Sequence, residues 1–117
     1  AYAVLRGARS LALRMAQHEA SALEVARWLE QHPKVARVLH PALESDPGHA
    51  LWKRDFSGSS GLFGIELHAM PTAKIHAFLD ALTLFGLGFS YGGFESLIIH
   101  CDPQLKRTAS KPDLPAR

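Results

Sequence analysis

Seven histidines, at positions 18, 32, 40, 49, 68, 76 and 100, are the side chains here best suited to metal binding or proton transfer. A metal-binding helix needs two of them four residues apart, and no pair has that spacing. A thiolate site needs a second sulfur, and Cys101 is the only cysteine. No metal site is therefore expected, and the histidines read as surface or hydrogen-bonded groups. His100 and Cys101 are neighbours on an expected strand, so they point to opposite faces and cannot act as a base and its nucleophile. Cys101 reads as a small core residue. Ser57, Ser59 and Ser60 lack the Gly-x-Ser-x-Gly elbow of a serine nucleophile and read as turn residues. Trp28 and Trp52 read as core or interface anchors.

One stretch stands apart. Phe85, Leu87, Phe89 and Tyr91 alternate with Gly86, Gly88 and Ser90, and Gly92-Gly93 follows. A strand here has one bulky face and one nearly bare face. Glycines within a strand mark close approach by a backbone or a ligand. The alternative is tight packing of a helix against the sheet. The stretch lacks the lysine and following helix of a phosphate loop.

The elements that must position this stretch follow from periodicity. Helical spacing runs from Leu11 through Met15, Ala22, Val25, Ala26 and Leu29, and Ala1–Arg6 already looks helical. One long helix over 1–32 is expected, stopped by Pro33. Val35–His40 reads as a strand and His49–Phe56 as a short helix docked by Leu51, Trp52 and Phe56. Phe63, Ile65 and Leu67 alternate as a half-buried strand. Pro71 and Thr72 open a helix that buries Ile75, Phe78, Leu79 and Leu82. Leu97-Ile98-Ile99 is a buried strand, and 104–117 is a loop or tail. The expected fold is a single α+β domain: a small, mostly antiparallel sheet with helices on one face, an α/β sandwich.

Composition narrows the function. The chain has 117 residues, 47% hydrophobic, with a net charge of +2. That suits one globular domain. Its basic residues are scattered, which argues against a nucleic-acid surface. No apolar run approaches the roughly 20 residues that span a bilayer, so no membrane association is expected. One cysteine and no leader sequence fit the cytoplasm. The first helix has no capping residue before it, and the tail completes no element, so the chain reads as a piece of something longer.

Four stretches, in order, resemble one family. Leu5-Arg6-Gly7-Ala8-Arg9-Ser10-Leu11 followed by Arg14-Met15-Ala16-Gln17-His18 is similar to a helix of the Cys/Met-metabolism pyridoxal-phosphate enzymes. Val35-Ala36-Arg37-Val38-Leu39-His40-Pro41 resembles their V-x-x-V-x-x-P strand. Phe56 to Phe63 resembles their F-x-G-x-x-G-L-F turn, and Ser90 to Leu97 their S-x-G-G-x-E-S-L signature.

The resemblance implies the smaller C-terminal domain of a fold-type I, aminotransferase-like enzyme. Trp52-Lys53-Arg54-Asp55-Phe56 and the aromatics at 89 and 91 resemble the β-lyase branch, which cleaves L-cystathionine to homocysteine, pyruvate and ammonia in methionine biosynthesis. The γ-lyases and γ-synthases of the family are the alternative, and a non-catalytic α+β binding module is another. The implied cofactor is pyridoxal 5'-phosphate, which serves as the electron sink. The implied partners are an amino-acid substrate and further copies of the chain in a homotetramer.

By residue, Ser90 matches a serine near the substrate carboxylate, Tyr91 its neighbour in that subsite, and Phe89 a position along the substrate side chain. Lys34, Lys53, Lys74, Lys106 and Lys111 do not match the family's Schiff-base lysine, and its carboxylate-binding arginine motif is not found up to Arg117. The resemblance therefore implies no catalytic or cofactor-binding residue in this chain, which alone is expected to be inactive.

Overall fold

In the computed structural model, residues 1–105 are described. They fall into two compact units, divided after His68. The first holds helices α1 (Tyr2–Ala8) and α2 (Leu11–Glu30), strand β1 (Val35–Leu39), helix α3 (His49–Asp55) and strand β2 (Gly64–Leu67). The second holds helix α4 (Thr72–Asp80), strands β3 (Gly86–Leu87) and β4 (Leu97–Ile98), and a 3₁₀ turn over Asp102–Gln104.

The single helix expected over 1–32 is two helices. The chain breaks at Arg9–Ser10, where the Ser10 hydroxyl and the Arg14 guanidinium both donate to the Gly7 carbonyl, at 3.3 and 3.1 Å. A serine offering the backbone a local partner competes with helix continuation. Periodicity alone cannot detect that competition. At its far end α2 stops at Glu30, before Pro33.

In the first unit, β1 and β2 pair antiparallel, with Val38 opposite Ile65 and Arg37 opposite Glu66. The register shifts between Val35 and Arg37. Such a shift lets one strand carry an extra residue and increases the local twist. Across this ladder Arg37 Nη2 lies 3.0 Å from Glu66 Oε1. Helix α2 packs on β1, and the core forms between them from Ala26, Val38 and Leu43. Ala26 is fully buried in this core, where α2 packs on β1.

Glu19 carries the turn over 57–61. Its Oε1 accepts the Ser59 N–H at 2.8 Å and the Ser59 hydroxyl at 3.1 Å. From α3, the Trp52 indole N–H donates to the Gly58 carbonyl at 3.2 Å. The turn is thus tied to both helices. Of the three residues expected to dock α3, only Trp52 is half-buried; Leu51 and Phe56 are 58% and 66% exposed. Trp28, read above as a core or interface anchor, is 63% exposed, with its ring tilted against that of His32 at 5.4 Å.

Removing the carboxylate strands two donors at once. Glu19→Ala is expected to destabilise the chain by about 2 kcal/mol, as hydrogen bonds to a charged group usually do. Glu19→Gln, which keeps one acceptor oxygen, should cost less. Urea titration of the pair separates them, and equal losses would mean that the bonds contribute nothing beyond packing.

The second unit departs further from expectation. The run from Phe85 to Tyr91 is not one strand, since regular pairing ends at Leu87. Strand β3 pairs with β4 in parallel, Gly86 opposite Leu97 and Leu87 opposite Ile98. The Gly86 N–H donates to the Ser96 carbonyl and the Gly88 N–H to the Ile98 carbonyl, at 2.9 and 3.1 Å. The architecture is a small α+β fold whose first pair is antiparallel and whose second is parallel. Of the four residues expected on the buried face of α4, Ile75 and Leu79 are half-buried, Leu82 lies just past the helix end, and Phe78 is 42% exposed.

Candidate functional site

Immediately after β3 the chain runs through Ser90 and Tyr91 into a glycine pair. Gly92 has φ +100°, the backbone region that side chains disfavour. A Cβ on Gly93 would fall 2.6 Å from Glu95 Oε2 and 3.7 Å from Ser90 Oγ. The Glu95 carboxylate and the Ser90 hydroxyl thus flank the same point of a tight turn. The two glycines let Ser90 and Glu95 approach one stretch of backbone from opposite ends.

The bare face packs against this chain's own Leu97. The Cβ positions of Gly86 and Gly88 meet the Leu97 methyl groups at 3.6 and 3.8 Å. These are ordinary van der Waals distances, so Leu97 packs over the two glycines without requiring them. Ser90 does not continue their face, because it lies beyond the strand. The bulky face does not form either. Phe89 is 80% exposed, Tyr91 99% and Phe94 94%. Three neighbouring aromatics in water form a surface of the kind that partners cover.

A groove opens beside this turn. One wall is α4, with His76, Leu79 and Asp80; another is Leu87 to Phe89; Ile98 to His100 and Pro103-Gln104 complete it, enclosing about 530 Å³. His100 is mostly buried, with Nε2 3.6 Å from Asp102 Oδ2 and its ring 5.7 Å from that of His76. Both ring nitrogens of His100 lack a hydrogen-bond partner among the described residues. Sequence reasoning missed this juxtaposition, because nothing in a spacing of 24 residues brings two imidazoles together. Cys101, expected in the core, is exposed. No group of three metal-binding side chains forms among the described residues. No helix among them is long and apolar enough to cross a membrane.

The consecutive residues expected at the substrate, Phe89, Ser90 and Tyr91, are all exposed. They offer one hydroxyl, two aromatic rings and free backbone groups to one side of a ligand. They include no amine to bind an aldehyde and no cation to hold a phosphate. In this unit the one described lysine, Lys74, lies exposed on α4. The described residues therefore do not fit a pyridoxal-phosphate site by themselves. Lys106, Lys111 and most of the expected tail lie outside the described residues.

Comparison with known proteins bears on this small α+β scaffold and its exposed 89–91 segment. Residues 1–113 match the model of the Cys/Met metabolism PLP-dependent enzymes, and the chain belongs to that family. It is 52% identical over 105 residues to a cystathionine beta-lyase of Salmonella typhimurium, covering 89% of this chain and 27% of that protein. It is 54% identical over 98 residues to a cystathionine beta-lyase of Bordetella avium, covering 84% of this chain and 24% of that protein.

Among solved structures, cystathionine gamma synthase from Xanthomonas oryzae pv. oryzae in complex with cystathionine superposes with a TM-score of 0.77 at 39% identity. That match covers 85% of this chain and 25% of the solved one. The fold is that of fold-type I pyridoxal-phosphate enzymes. The chain spans about a quarter of the length of the relatives it matches.

Proposed function

We propose that this chain is the C-terminal part of a cytoplasmic, pyridoxal-phosphate-dependent carbon–sulfur lyase that cleaves L-cystathionine to homocysteine, pyruvate and ammonia, supplying methionine biosynthesis. The observation that carries the reading is the exposed Phe89-Ser90-Tyr91 segment ahead of the Gly92-Gly93 turn, in a chain 52% identical to a cystathionine beta-lyase. When bound, the cofactor stabilises the carbanion formed at the substrate α-carbon. This chain's share is to orient the substrate. The Ser90 hydroxyl and the backbone beyond it donate to the carboxylate, and Phe89 and Tyr91 line the path of the side chain and exclude water.

The cofactor itself is held by polypeptide outside this chain, so the isolated 117 residues are inactive. The full-length enzyme assembles as a homo-oligomer, which supports covering the exposed aromatics.

A γ-elimination or γ-replacement activity is the second reading, favoured by the structural match to a cystathionine gamma synthase. The product separates the two. Full-length protein given cystathionine is expected to release pyruvate, identified by chromatographic separation of the 2-oxo acids. Release of 2-oxobutyrate instead would move the assignment to the γ-branch.

A further inference from the structure

The connection between β1 and α3 contains a histidine whose protonation the fold opposes. His40 is 1% exposed, the most buried large side chain among the described residues. Its Nδ1 accepts the Ala42 N–H at 3.2 Å, so the ring proton sits on Nε2. Nε2 has no hydrogen-bond partner among the described residues, and the Phe63 ring lies beside the imidazole at 5.8 Å. A second proton can go only onto Nδ1, the atom that already accepts from the backbone. Two N–H groups then face each other, and a cation is buried against an aromatic wall.

The consequences extend beyond one bond. The His40 carbonyl accepts the Leu43 N–H at 3.0 Å, and Leu43 is one of the three core residues. The chain then continues through the Leu43–Asp46 and Asp46–His49 turns into α3. Whatever displaces His40 also loosens Leu43 from Ala26 and Val38.

We infer that His40 is an acid-sensitive latch: its protonation opens the 40–48 connection and draws Leu43 out of the core.

Burial is the largest influence and holds the imidazole below its usual 6.5. Asp46 of the connection, a backbone hydrogen bond of His40 and Glu19 of α2 favour the cation without overcoming burial, and Arg27 of α2 opposes it. A folded pKa below the unfolded one means that the unfolded chain binds more protons. The latch's stabilisation is therefore complete above pH 6.5 and is lost as pH falls through the folded value.

His40→Asn places a side-chain oxygen near the position of Nδ1 and cannot titrate. In the full chain, the urea midpoint of the unsubstituted protein is expected to fall between pH 7.5 and 5.5 by more than that of His40→Asn. The other six histidines are common to both proteins and cancel. Should the variant fail to fold, two readouts on the unsubstituted chain decide. The His40 Cε1–H resonance is expected to titrate with a midpoint below 6.5. Amide exchange at Ala42 and Leu43, corrected for its intrinsic pH dependence, should accelerate on acidification, about tenfold for each unit between folded and unfolded pKa. A midpoint at or above 6.5, unchanged protection of Ala42, or parallel pH curves for the two proteins would each overturn the latch.

Discussion

Ser90→Ala, introduced into the full-length polypeptide that carries this segment, is expected to lower turnover of cystathionine about a hundredfold while leaving the thermal midpoint nearly unchanged. The first half follows from the position of the hydroxyl. It lies at the entrance to a turn in which Gly92 has φ +100°. In the proposed function this hydroxyl donates to the substrate carboxylate, and losing a hydrogen bond to a charged group costs about 1.5–3 kcal/mol, roughly 10- to 150-fold in kcat/KM.

The second half follows from exposure. Ser90 is exposed, and substitutions at such positions change stability by about 0.5 kcal/mol or less. The two halves together distinguish a site residue from a structural one. Ser90→Thr keeps the hydroxyl and is expected to recover part of the rate. A variant with full activity would remove Ser90 from the substrate; a variant that loses rate and stability in parallel would make it a structural residue.

The first unit was the more legible in the sequence, for a physical reason. Helix α2 and strands β1 and β2 bury side chains against one another, so their apolar spacing records the packing. Ala22 and Ala26 line the inner face of α2, and Val38 faces Ile65 across the ladder. Local competition was less legible. The Ser10 break depends on a hydroxyl and a guanidinium meeting one carbonyl, which no periodicity encodes.

In the second unit, alternation from Phe85 to Tyr91 resembled a seven-residue strand, yet pairing stops at Leu87. The aromatics Phe89 and Tyr91 of the bulky face are exposed. Alternation in sequence reports which residues are to be covered, not by which polypeptide. A chain spanning about a quarter of its relatives can carry the pattern of an interface whose other side lies elsewhere. The same logic applies to the glycines. Leu97 packs over Gly86 and Gly88 at ordinary contact distance, whereas the positive φ of Gly92 is what calls for a glycine in the turn.

Leu43→Ala should be among the most damaging single truncations in the first unit, with an expected loss of about 3 kcal/mol. Leu43 is 4% exposed and meets Ala26 and Val38, with Leu23, Leu29, Phe63 and Ile65 packed around them. The alanine at 26 has no volume to give, and Val38 is fixed in the ladder opposite Ile65. The site therefore cannot collapse around the missing methyl groups, and a cavity remains. Small domains have total stabilities of about 5–15 kcal/mol, so this one change removes a large share. In urea it should lower the midpoint by about 1–3 M. Leu51→Ala is the matched control. It deletes the same atoms at a position 58% exposed, and about 0.5 kcal/mol or less is expected. Comparable losses at the two positions would show that burial on the inner face of α2 and β1 is not what holds this unit together.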